Sequence, residues 1–289
     1  MLVNPDSQRW ISSKYKTLNS IESAKTSLNK LDNYLLSCNT TITDWIANML
    51  VNQDARYHEL SKFIQSMNLK PASTRKYFAF IKSYIRFVHG IKLDLTDQKE
   101  LITFPKSIQV NREPVTTEMI RNLCEYSNPI WKTFLVIQAS SGMRASESLQ
   151  LSKQDFTIEK GQPTMIHLNA EVTKTKQERT AYCSQEATRL LLKNWDDYFE
   201  NKTLDMAESY FWKLRKKCGY TIKYPNSINY KLNLHSFRAF FRTQAGKINQ
   251  DIAEDLIGHR TYLKQYIRFT ENEKKEYYKK IEPLVRIFN

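Results

Sequence analysis

The chain has 289 residues, 41% of them hydrophobic and 26% charged, a composition that excludes a disordered or low-complexity polymer. Its length suits about two domains with separate cores. No apolar run approaches the ~18 residues of a membrane span, and the N-terminus carries no signal-like apolar segment. The net charge of +14 points to a polyanionic partner, nucleic acid before an anionic membrane surface. Residues 1–110 carry 15 Lys/Arg against 9 Asp/Glu, and residues 111–289 carry 29 against 21. Both halves are therefore basic, which suits a two-sided clamp. Cys38, Cys124, Cys183 and Cys218 lie far apart without a CxxC pair, so they read as reduced thiols and not as a disulfide or zinc framework.

Residues 1–13 show no periodicity and read as a loose lead-in. Ile21, Ala24, Leu28, Leu31 and Leu35 fall at helical spacing, which predicts a helix over 20–36. Thr43 and Asp44 read as the cap of a second helix through Trp45, Ile46, Met49 and Leu50. A third is expected from Arg56 to Met67, and a fourth from Pro71 to the glycine at position 90. Four short-linked helices predict a small helical domain over residues 14–100. In the fourth helix, Arg75, Lys82 and Arg86 form one stripe beside the apolar stripe Phe78, Ile81, Ile85 and Val88. Residues 55–93 hold eight Lys/Arg and the single acid Glu59. A solvated face usually mixes signs to gain i,i+4 pairs, so this stripe reads as phosphate-facing.

Residues 101–115, with two prolines and no periodicity, read as a linker. A new helix starts at Thr116 or Thr117, and a largely apolar one covers Trp131 to Ala139 and runs into SSGMRASESLQL. Between Asp155 and Ser184 the pattern shifts to DFTIEK, TMIHLNAEV and RTAYCS, short alternating segments that predict a three-stranded antiparallel sheet. Helices follow at about 184–199, 205–218, 235–246, 249–257 and 271–281. The expected fold is mainly α: a helical domain, then an α+β domain over 116–289 with one small sheet.

Three local patterns carry chemistry. Ser-Gly-Met-Arg places Arg144 at a turn that feeds a helix, with Glu147 three residues on. His235 and Arg238, in LHSFR, share a helix face, and Arg242 lies one turn further. Gly258-His259 then precedes Tyr262 and Tyr266. Residues 209–250 contain nine Lys/Arg and no acid, so the field there is positive. A guanidinium fork, imidazole donors and a phenol suit a phosphodiester, and no carboxylate cluster stands beside them to hold a metal.

In this order the motifs resemble the tyrosine recombinases, the family of phage integrases and Xer proteins. SGMRASESLQL is similar to the family's first box, TKTKQERT to its β-hairpin lysine, HSFR to the His-x-x-Arg box and LIGH to the Leu-x-Gly-His box. The resemblance covers nearly the whole chain and implies a SAM-like core-binding domain followed by a catalytic domain. It implies Arg144, Lys174, His235, Arg238, His259 and Tyr266 as catalytic residues, with Glu147 in support. Lys176 is second choice for the hairpin lysine and joins Arg75, Lys82, Arg86 and Arg242 as DNA contacts. The family's usual spacing from the Gly-His histidine reaches Arg268, whereas Tyr266 lies seven residues after His259. YLKQYIRFTENEKKEYYKKIEP looks like the ending of archaeal and archaeal-virus members, which makes Tyr266 the expected nucleophile, with Tyr262, Tyr277 and Tyr278 as alternatives. Type IB topoisomerases place Arg before His in the last box, unlike HSFR and the separate Gly-His here.

The activity the resemblance implies is metal- and ATP-independent cutting and rejoining of double-stranded DNA through a 3′-phosphotyrosyl intermediate. It implies a homo-tetramer on two DNA sites, located with the nucleoid in the cytoplasm, or in the host cytoplasm for a viral protein. No cofactor, membrane or small-molecule substrate is expected. The alternative is a non-catalytic DNA-binding protein on the same fold.

Overall fold

The computed structural model describes residues 4–106, 113–225, 227–259 and 268–288. The chain forms two compact units, Met1–Gln109 and Val110–Asn289. No helix among the described residues is long and apolar enough to cross a membrane.

The first unit is all helix: α1 (Pro5–Lys14), α2 (Leu18–Ser37), α3 (Ile42–Val51), α4 (Gln53–Ser66), α5 (Pro71–His89) and α6 (Leu95–Leu101). Its core gathers Leu28, Leu31, Trp45, Leu60, Phe63, Ile81 and Ile85. Thus α2 to α5 are the four expected helices, with α1 and α6 added. The lead-in reading of residues 1–13 is corrected. Asn4 caps α1 by accepting from the Asp6 N–H at 2.8 Å, and Pro5 opens it. Trp10 is fully buried, donates its indole N–H to Ser83 Oγ at 3.1 Å and meets Tyr84 edge-on. Trp10 and Ile11 are adjacent, so they leave no 3.6-residue period to read. Thr41, not Thr43 or Asp44, caps α3, because its hydroxyl faces the Asp44 N–H at 3.1 Å. Beyond α6, Ile102 is buried in this core and Phe104 packs edge-on against Phe78.

The second unit begins with α7 (Thr117–Glu125), α8 (Pro129–Ser141) and α9 (Ala145–Ser148). Then come β1 (Phe156–Thr157), β2 (Thr164–Leu168) and β3 (Arg179–Cys183), followed by α10 (Gln185–Lys193), α11 (Trp195–Tyr198) and α12 (Leu204–Lys217). The unit ends with α13 (Leu234–Gly246), α14 (Gln250–Ile257) and α15 (Glu271–Val285). The strands form one antiparallel sheet in the order β1-β2-β3, with Ile166 paired to both Phe156 and Ala181. Helix α8 packs against α7, α10, α13, α15 and β3, so residues 133–141 are buried on every face. That central position explains why it reads as apolar without a polar stripe. The edge strand β3 touches α8, α14 and α15. The end of α8, the start of β3 and the end of α14, far apart in sequence, therefore come together, and the candidate site lies there. All four cysteines are unpaired, and burial pushes the Cys124 and Cys183 thiols up to about 12.

Candidate active site

The Ser-Gly-Met-Arg turn is set by its glycine. Gly142 ends α8 with φ +64°, and a Cβ there would lie 2.4 Å from Phe241 Cδ1 and 3.0 Å from Ile257 Cγ2. A side chain would suffer both left-handed backbone strain and a clash with α13. Gly142→Ala is expected to cost about 2–5 kcal/mol, the sum of those two penalties, read from urea unfolding. A loss below about 1 kcal/mol would mean the turn is not held as described.

The tight turn delivers Arg144 to the start of α9. Its guanidinium donates to Glu147 Oε1 at 2.6 Å, and its backbone N–H to Glu147 Oε2 at 2.9 Å. The Arg144 side chain keeps 23% of its surface exposed, whereas that of Glu147 keeps 1%. Arg238 approaches the same turn from α13. It is buried and donates from Nη1 to the Gly142 carbonyl at 2.8 Å and from Nη2 to the Ile257 carbonyl at 2.5 Å. Both acceptors lie at helix C-termini, where the carbonyl ends carry partial negative charge. Burial, with Arg144 and Arg179 nearby, pushes the Arg238 guanidinium down to about 10. It stays charged at neutral pH, but at a cost.

Arg179, which the motif reading passed over, completes the arrangement. From the first position of β3 it donates Nη2 to Glu147 Oε2 at 2.7 Å and Nε to the Leu256 carbonyl at 3.3 Å. Burial alone would raise the Glu147 carboxyl; the Arg179 guanidinium, then Arg144, outweigh it and hold that group below the ordinary glutamate value. A signal was present in the sequence. Alternation puts Arg179 on one strand face with Ala181 and Cys183, both fully buried, and an inward arginine requires an acid. Gly258 ends α14 with φ +70°, and a Cβ there would lie 2.7 Å from Arg179 Cδ. The glycine of Leu-x-Gly-His is thus also the residue that lets the arginine stem pass.

His259 follows that turn with its backbone N–H on the Glu254 carbonyl at 3.0 Å. Its Nδ1 meets Glu254 Oε2 at 2.7 Å, and Glu254 also holds Arg242 Nε at 2.7 Å. Arg242 therefore sits in an ion pair beside His259. His235 is exposed in the first turn of α13, one turn ahead of Arg238. In the β2–β3 connection, the buried Thr173 hydroxyl donates to the Gln177 carbonyl and accepts its N–H, closing a small loop. Lys174 is exposed on that loop, while Lys176 folds back to the Glu171 carbonyl at 3.0 Å.

Tyr262 and Tyr266 lie in 260–267, outside the described residues. Tyr278 is fully buried and donates its hydroxyl to the Ser140 carbonyl at 2.7 Å, a packing role. Tyr277 packs edge-on against Phe269. In the first unit, Arg75 stacks over Phe104 at 4.6 Å, Lys82 donates to Gln98 at 2.8 Å and Arg86 is exposed, all from α5.

Two guanidinium bridges thus join the Ser-Gly-Met-Arg turn to the end of α14. Arg238 spans Gly142 and Ile257, and Arg179 spans Glu147 and Leu256. Arg144 and Arg179 bond the buried Glu147 carboxylate and Arg238 lies close beside them, so guanidiniums outnumber that buried acid and the cluster suits a bound anion. No protein-family model matches the chain, and no curated protein does. Solved structures do. A lambda integrase dimer bound to a core site is 15% identical over 93% of this chain and 99% of that one, with a TM-score of 0.63. The Tn1549 transposon integrase in complex with transposon right-end DNA is 14% identical over 95% of this chain and 98% of that one, also at 0.63. The XerH site-specific recombinase on a palindromic difH substrate, post-cleavage, is 15% identical over 92% and 77%, at 0.58. The mainly helical two-unit chain with its small antiparallel sheet has the fold of the tyrosine recombinases.

Proposed function

We propose that this protein is a site-specific DNA recombinase that cuts and rejoins double-stranded DNA through a 3′-phosphotyrosyl intermediate, without ATP or a metal ion. The observation that carries this reading is the guanidinium cluster. Arg144 and Arg179 pair with the buried acid Glu147, and Arg238, from a third distant segment, lies beside them. A phosphodiester placed there supplies the missing negative charge, and fixed donors stabilise the further charge that develops as the phosphorus is attacked.

The roles follow from the residue types. The Tyr266 oxygen attacks the phosphorus, the bond to the 5′-oxygen breaks, and the phosphate stays on the tyrosine. A phenol with a free pKa of about 10 is a weak nucleophile at neutral pH, so its proton passes to His235, exposed one turn before Arg238. Lys174, on its exposed loop, gives a proton to the departing 5′-oxygen. His259, held by Glu254, donates to a non-bridging oxygen. Attack by a different 5′-hydroxyl reverses the sequence and joins new ends. Because the ester retains the energy of the broken bond, no nucleotide is consumed. Exchange needs four cleavages, which calls for four copies on two DNA sites. Arg75, Lys82 and Arg86 on α5, with Lys176 and Arg242, meet the DNA backbone.

The test uses nicked duplexes that the protein itself selects from a random pool, so that cleavage releases a short strand and traps the intermediate. Wild type should give a protein–DNA adduct that survives denaturation and is indifferent to a chelator. Tyr266→Phe should abolish it and keep DNA affinity. No adduct from wild type, with binding intact, would leave only a DNA-binding protein; an adduct with Tyr266→Phe would move the nucleophile to another tyrosine.

A further inference from the structure

We infer that Arg179 is a positioning residue for the recombinase reading proposed above, on which this rests: one guanidinium sets the relative placement of Arg144, the Gly258–His259 turn and the lysine loop. The first link is Glu147. This carboxylate holds Arg144 through both its side chain and its backbone N–H, and Arg179 supplies its third donor at 2.7 Å. Among the described residues Arg144 and Arg179 are the two cations that bond Glu147, so the direction of the Arg144 fork depends on Arg179.

The second link is α14. Arg179 Nε reaches the Leu256 carbonyl at 3.3 Å, and its aliphatic stem fills the space where a side chain on Gly258 would stand. The helix end that presents His259 therefore rests directly on the Arg179 side chain. The third link is covalent. Arg179 is the first residue of β3, paired with Leu168, and closes the base of the connection that carries Lys174 and Lys176. Its side chain is 8% exposed. Its two polar contacts point inward, to Glu147 and Leu256, so it acts through its neighbours and does not meet DNA itself.

A lysine cannot replace this. It would keep the charge but place one ammonium where two directed N–H groups serve two acceptors. The test is single-turnover adduct formation by the full chain on selected nicked duplexes, at saturating DNA and well below each variant's melting temperature. Arg179→Lys and Arg179→Ala should each slow the reaction by about 100-fold, the scale of a misplaced reacting group. DNA affinity should stay within about twofold of wild type, because no phosphate contact is lost. Guanidinium ion added to Arg179→Ala should restore part of the rate, and should do nothing for Glu147→Ala, whose partner is the missing group. Arg179→Ala should slow the Arg144→Ala variant by much less than it slows wild type, since part of its effect runs through Arg144.

Three results would overturn the inference while leaving the recombinase reading intact. They are Arg179 variants that react at the wild-type rate, a loss confined to DNA affinity, or a double variant whose losses multiply. A wild type that forms no adduct removes the reading and the inference together.

Discussion

Replacing Arg238 with lysine is expected to slow adduct formation by at least about 100-fold, the scale of losing one preorganised donor to a developing oxyanion. Two of the five guanidinium N–H donors of Arg238 are spent on Gly142 and Ile257. The fork thereby ties the turn that presents Arg144 to the helix that presents His259. A lysine in that space can serve one carbonyl or an incoming phosphate oxygen, but not all of these at once. It would also leave a buried carbonyl without a donor, at about 1–3 kcal/mol. The two losses separate experimentally: urea unfolding reads the carbonyl, and single-turnover adduct formation at saturating DNA reads the chemistry. A lysine variant within tenfold of wild type in that rate would show that charge alone suffices, and the bridging role would fall.

Legibility in the sequence followed the reach of each interaction. Helix α5 was readable because Pro71 opens it, Gly90 in the left-handed region closes it, and its core stripe repeats at 3.6 residues. The sheet was readable because β2 alternates: Thr164, Ile166 and Leu168 turn inward while His167 is exposed. Helix α1 was not, because its burial rests on Trp10 meeting Ser83 and Tyr84, more than seventy residues away. In the site, Arg144 with Glu147 and the position of Arg238 were visible as local motifs. What no local motif holds is the target of each side chain. That Arg238 faces two helix-end carbonyls, that Arg242 pairs with Glu254 and that Arg179 enters at all are consequences of β3, α13 and α14 converging. Arg179 also sat beside Glu178 in a lysine-rich turn, where a charged residue looks like ordinary surface. The one local clue was its inward register on β3.

Glu147 should then be the most costly acid in the chain to neutralise. It is buried, accepts three hydrogen bonds and pairs with two guanidiniums. Glutamine keeps its shape but removes the charge and turns an N–H₂ toward donors. Breaking a buried ion pair from one side costs about 3–5 kcal/mol, so Glu147→Gln should lower stability in urea by that amount at neutral pH. The pH dependence gives an independent check. The folded-state pKa of Glu147 lies below its ordinary value of 4.5, so the carboxylate's contribution is complete above that value. It declines as the pH falls from there through the depressed folded value, because in that window the unfolded chain binds more protons than the folded one. The gap between wild type and Glu147→Gln should therefore be flat from neutral pH down to 4.5 and narrow below it. A gap that stays constant into stronger acid would mean the glutamine's shape, not the missing charge, is what destabilises.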